Sequence, residues 1–164
     1  MIKGVLHMHT SGLAHRDLKS TNILLDHEFN IKLIDLGFAK PVGGDDGRGN
    51  MQSRVGTKDH MAPQILEGND YRGPDVDIFA LGVIFFTLMA GHPPFEMATP
   101  NDPHYKWLYY GHTASEFWRR HEGYIKTTLP NGFDEDFKNL VTLMLSYHPE
   151  NRPSIVDIIG HRWM

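Results

Sequence analysis

Positions 78–90 hold a single polar side chain, Thr87. A helix with this composition has no face for water, so it must be surrounded by other elements. Asp75 or Asp77 suits its first turn, and Gly91 suits its end ahead of Pro93 and Pro94. The unbroken apolar stretch is shorter than the ~20 residues that cross a bilayer. The sequence therefore predicts a buried central helix over 75–91. A chain of 164 residues fits one domain. At that size it hides roughly two-thirds of its unfolded surface, enough to enclose such a helix.

Bulk charge narrows the partners. The net charge of −4 gives no general basic field for nucleic acid. The chain has no cysteine, which excludes disulfides and thiolate metal sites and fits a reducing compartment. The first nine residues lack the apolar core and cleavage site of a signal peptide. The expectation is an intracellular, cytoplasmic protein with no membrane and no nucleic-acid partner.

Around the central helix the pattern is mostly helical. Val5, Met8 and His9 stand at helical spacing in residues 1–13, with Gly12 as a stop. His7 and His9 are two apart and face different ways, so they read as helix-end histidines and not as a metal pair. Short helices are predicted over 104–110 and 114–121. Phe133, Phe137, Leu140, Val141 and Met144 give one amphipathic helix, and Ser154 with Asp157 opens the last one as a capping box. Two apolar runs, 23–25 and 31–34, flank a polar turn and predict a hairpin. Residues 38–55 show little regular pattern, and 43–50 form a flexible, turn-rich run. No internal repeat is evident.

The chemistry concentrates in His15-Arg16-Asp17-Leu18-Lys19-Ser20-Thr21-Asn22, followed by Asp35-Leu36-Gly37. Taken singly, an Asp or Asn between a helix and a strand is an ordinary turn or cap residue. The hairpin, however, holds Asn22 at one end and Asp35 at the other, which draws an amide and a carboxylate together. The first string matches H-R-D-L-x-x-x-N at every specified position, and the second matches D-F-G at two of three. The chain thus resembles the eukaryotic-type serine/threonine protein kinases.

That resemblance implies roles. Asp17 would accept and orient the acceptor hydroxyl, Lys19 would place charge near the transferred phosphate, and Asn22 and Asp35 would hold Mg2+. Lys19, Asn22, Leu24 and Asp35 would face ATP, with Leu24 packed under the adenine ring; it also reads as an ordinary core leucine, and the two readings are compatible. Arg16 could grip a phosphate on Ser53, four residues before Thr57; a plain loop serine is the simpler reading, since nothing but spacing marks the site. Thr57 would contact Asp17 and Lys19. Asp77 would bond backbone amides beside His15 and fix the catalytic loop.

The sequence departs from the family pattern at Gln64, where A-P-E has glutamate, and at Leu36, where Phe is usual. Gln64 should still meet Arg152, but without the charge-assisted half of the bond. Trp107, Tyr109, Tyr110, Phe117 and Trp118 lie where kinases dock partners or substrates, although core packing suits most of them. The resemblance covers residues 1–164 but only about the C-terminal two-thirds of the family's domain. It implies a mostly α large lobe with a short β-hairpin near the catalytic loop and the small lobe absent. A small lobe would then be needed in cis or in trans, and exposed apolar surface should mark where it docks. The implied activity is transfer of the ATP γ-phosphate to protein Ser/Thr hydroxyls, with ATP and Mg2+ as cofactors. The chain alone should have little activity. A non-catalytic, partner-binding module is the alternative.

Overall fold

The computed structural model of the chain describes residues 1–110 and 113–164. In order these form α1 (Ile2–Thr10), β1 (Leu13–Ala14), β2 (Ile23–Leu25), β3 (Ile31–Leu33), β4 (Lys40–Pro41) and β5 (Asn50–Met51). Then follow α2 (Pro63–Glu67), β6 (Tyr71–Arg72), α3 (Gly73–Ala90), α4 (Lys106–Tyr109), α5 (Ala114–Ile125), α6 (Glu135–Met144) and α7 (Ile155–Ile159). The domain is mostly helical, and its strands form three two-stranded antiparallel pairs, β1–β4, β2–β3 and β5–β6.

The central helix is α3. It starts two residues earlier than Asp75, with Pro74 in its first turn, and ends at Gly91 in the left-handed conformation (φ 75°). Val76 and Ile78–Phe86 are buried without interruption by side. The expectation of burial all round fails only in the last turn, where Leu88 and Met89 emerge. By length and composition α3 would pass for a membrane-crossing helix, but 67% of it is buried inside the fold. Gly82 explains how α6 lies so close: a Cβ there would sit 2.9 Å from Leu145 Cδ2 and 3.0 Å from Met144 Cβ. Phe137, Leu140, Val141 and Met144 supply the α6 side of that contact.

The local signals account for most element ends. Asp134 caps α6 by accepting from Asp136 N and Phe137 N. Ser154 and Asp157 form the reciprocal capping box of α7. The predicted hairpin is β2–β3, with Leu24 opposite Lys32. Its turn is set by Asp26, whose Oδ1 accepts from Glu28 N at 3.0 Å and Asn30 N at 2.8 Å. The helix expected over 104–110 shrinks to α4, and that over 114–121 gains a turn through Gly123 to become α5.

Residues 38–55 are more ordered than their pattern suggests. Their two short strands pair with distant partners, β4 with β1 and β5 with β6. Between them Asp46 accepts from Arg48 N, Asn50 N and Asn50 Nδ2, while Lys40 pairs with Asp45. The run 43–50 is thus a defined sequence of turns.

Candidate active site

Arg16 adopts a left-handed backbone (φ 67°), which is uncommon for a residue with a side chain. Asp77, buried in the first turns of α3, holds it there: its carboxylate accepts from His15 N at 2.8 Å and Arg16 N at 2.7 Å. His9 Nε2 lies 2.9 Å from the same carboxylate. Three groups 61 to 68 residues away thus converge on one side chain. The sequence marks His9 as a helix-end histidine, but its spacing of four from the buried Val5 turns it inward to Asp77. Among the described residues no group of His, Asp or Glu is arranged to hold a metal ion by these ligands alone.

From this anchor the loop runs to Asp17. Thr57 Oγ1 donates to Asp17 Oδ1 at 2.7 Å, Lys19 Nζ lies 2.9 Å from Asp17 Oδ2, and Lys19 Nζ donates to Thr57 Oγ1 at 2.9 Å. Thr57 reaches in because Gly56, at φ 112°, passes where a Cβ would sit 2.9 Å from the Arg16 carbonyl. Burial pushes the Asp17 carboxyl up. Hydrogen bonds from Lys19 and Thr57, the Lys19 charge and the Asn22 amide outweigh that and hold it below the usual carboxylate range. Asp17 therefore stays ionised at neutral pH and can accept from a hydroxyl.

Asn22 directs its amide protons at Asp17, reaching the backbone oxygen at 2.9 Å and Oδ2 at 3.3 Å. That orientation turns its Oδ1 away as an oxygen ligand. Asp35 follows β3, where Ile34 N donates to Asn22 O at 3.0 Å, so the hairpin ends bring the two residues to the same rim. Asp35 is left-handed (φ 62°), exposed, and accepts from Gly37 N. An amide oxygen and a free carboxylate edge suit a hard cation such as Mg2+. His15 links the two sides: its Nδ1 accepts from Asp17 N, and its Nε2 donates to Ile34 O at 3.1 Å.

Arg16 gathers the outer segments. Its Nε donates to Phe38 O at 2.7 Å, and its Nη1 donates to Ser53 Oγ at 2.8 Å and Tyr71 Oη at 3.0 Å. Tyr71 in turn donates to Ser53 O. Nothing in the local sequence marked Tyr71, because its role depends on β5–β6 pairing. Leu24 is 49% exposed on the hairpin. Phe29 and Leu36 are also exposed, at 82% and 54%. Gln64 meets Arg152 at 3.0 Å through Oε1, with its Nε2 left buried and unpartnered.

A family model for the protein kinase domain matches residues 1–164. The chain is 34% identical over 163 residues to CBL-interacting serine/threonine-protein kinase 13 of Arabidopsis thaliana, covering 99% of this chain and 30% of that protein. It is 32% identical over 165 residues to maternal embryonic leucine zipper kinase of Xenopus tropicalis, covering 100% of this chain and 23% of the relative. Serine/threonine-protein kinase SIK2 of Gallus gallus is 34% identical over 164 residues, with 100% of this chain and 18% of the relative covered. The chain therefore spans less than a third of these relatives' lengths. With the Asp17–Lys19–Thr57 triangle at its centre and the match running along its whole length, the chain belongs to the protein kinase family.

Proposed function

We propose that this chain is the catalytic large lobe of a serine/threonine protein kinase, which moves the ATP γ-phosphate to a protein hydroxyl when a small lobe completes it. The observation that carries the reading is the closed triangle of Asp17, Lys19 and Thr57. It fixes a carboxylate and an ammonium side by side in a geometry each of the three enforces on the others.

The acceptor Ser or Thr hydroxyl would donate to the free lone pairs of Asp17, which orients its oxygen for in-line attack. As the new O–P bond forms, the hydroxyl proton passes to Asp17 and ADP leaves. Lys19 keeps a positive charge beside the oxygens on which negative charge collects. When bound, Mg2+ would neutralise the nucleotide phosphates, with Asn22 Oδ1 and Asp35 as its protein oxygens. Thr57 limits how far Asp17 and Lys19 swing. Arg16 ties the Ser53 segment to the loop, so a phosphate on Ser53 would meet a guanidinium already aimed at it.

The exposed apolar side chains Phe29, Ile31 and Leu36 form a face beside α1 on the hairpin side. We read it as the seat of a small lobe, supplied in cis or by another chain. The same face favours the second reading, a module that binds partners without catalysis. The test is phosphate transfer to a Ser/Thr peptide with ATP and Mg2+, by the 164-residue chain alone and by the chain joined to a small lobe from a relative. The joined protein should transfer phosphate, and Asp17→Asn should lower its rate by about 10²–10⁴-fold. A joined, folded protein that binds ATP yet transfers nothing would favour the partner-binding module. Transfer by the lone chain at ordinary kinase rates, roughly 1–100 per second, would refute the need for a small lobe.

A further inference from the structure

Far from Asp17, three imidazoles stack. His121 on α5 is fully buried, with its ring between His92, on the turn after α3, and His104, on the loop before α4. The ring centroids lie 5.2 Å apart for His92 and His121, at an interplanar angle of 23°, and 4.8 Å apart for His104 and His121, at 36°. Phe86 and Phe117 close the other sides at 4.6 and 4.5 Å.

Four of the six ring nitrogens in this cluster are buried and bare. Neither nitrogen of His121 has a partner, nor do His92 Nε2 and His104 Nδ1. His92 Nδ1 faces the Pro93 carbonyl at 2.9 Å; a carbonyl only accepts, so that nitrogen carries the proton and the buried Nε2 is a lone pair with no donor. Buried polar atoms are nearly always partnered, and four orphans in one cluster call for an explanation. The groups facing His121 are His92, His104, Asp102 and the Pro94 carbonyl, with Tyr124 on its own helix. Asp102 is a poor counter-ion because its oxygens are committed: Oδ2 to Glu96 N and Met97 N, Oδ1 to His104 N and Tyr105 N.

We infer that the His92–His121–His104 stack is a proton-sensitive latch that holds α5 against the domain while its rings are neutral and releases α5 when the medium turns acidic. The stack is the junction of the three segments it joins, and α5 otherwise rests on Phe117, Trp118 and Ile125. A proton on His121 would be a buried cation between two imidazoles, with the Pro94 carbonyl its one nearby acceptor and no free counter-ion. Burial, with the neighbouring His104 and His92 adding to it, pushes the His121 imidazole down to about 3. The sign follows. Closed α5 holds fewer protons than opened α5 between that value and the free imidazole's ~6.5, so closure is full above pH ~6.5 and weakens as pH falls below it.

The test is hydrogen exchange of the α5 and α6 amides at pH 7.5 and pH 5, corrected for intrinsic rates, on the unaltered chain and on His121→Phe. The α5 opening constant of the unaltered chain should rise roughly 30-fold between the two pH values, with α6 changing less, because the opened imidazole titrates near 6.5. In His121→Phe the α5 response should flatten. Equal α5 protection at both pH values in the unaltered chain, or an unchanged pH response in the variant, would overturn the latch. If His121→Phe fails to fold, His121→Leu replaces it, and the α5-against-α6 comparison in the unaltered chain decides by itself.

Discussion

Asp77 and Arg152 are both buried charged side chains that tie distant segments to α3, yet they are satisfied differently. Asp77 offers two carboxylate oxygens to the amides of His15 and Arg16 and to the His9 ring, all within 2.9 Å. Every contact opposes its charge with a donor. Arg152 donates to the carbonyls of Ser146, Asp75 and Tyr147 and to the Gln64 amide oxygen, and its guanidinium lies 4.9 Å over the Phe79 ring. Its partners are dipoles and a ring. Burial pushes the guanidinium down to about 10, against the raising influence of Tyr105, Asp75 and Glu150. The difference teaches that this domain holds its 15–22 loop with a fully matched carboxylate, while its lower anchor lacks the opposite charge that a glutamate at 64 would bring.

The contrast can be broken by substitution. Asp77→Ala should have the largest effect, about 3–5 kcal/mol, because it strands two backbone donors and leaves Arg16 unsupported in its left-handed conformation. Urea denaturation followed by tryptophan fluorescence reads it directly. Arg152→Ala should come next, at about 2–4 kcal/mol, since three carbonyls lose their donor while no charge is left behind. A larger loss for Arg152→Ala than for Asp77→Ala would reverse the ranking of the two anchors. Gln64→Glu should raise stability by about 1 kcal/mol at neutral pH, through a charge-assisted bond and removal of the orphaned Nε2. The new carboxyl would be depressed by Arg152. Its gain is present above the unfolded value of ~4.3 and fades as pH falls through the depressed folded one, so thermal melts at pH 7 and at pH ~2.5 should show the gain only at the former.

How far these features could be read beforehand depends on the range over which each acts. The capping box at Ser154, the β2–β3 hairpin and α3 were all visible, because the causes lie within a few residues of their effects. The contacts of Asp17, Thr57 and Asp77 were legible only through resemblance; no spacing rule joins position 57 to position 17. The strand pairs of residues 38–55 were invisible for a physical reason. Each strand is two residues long, too short for alternation, and its partner lies across the chain. Leu88 and Met89 show the opposite failure: composition marked them as core, but the neighbours of α3 stop covering it at Phe86. The histidine stack draws on positions 92, 104 and 121, which share no periodicity.

The placement of Asp77 also sets an order of assembly. Its partners are more than sixty residues away, and its position is fixed only once α3 is packed. The loop around Asp17 can gain its shape only late, after the core has condensed, because closing so long a chain segment must precede the reward. Contacts made after the rate-limiting barrier leave refolding speed unchanged and act on the reverse step. Loss of the Asp77 carboxylate should therefore steepen the rate of unfolding and barely touch the rate of folding, so that the loop around Asp17 is the last part of this domain to arrive and the first to leave.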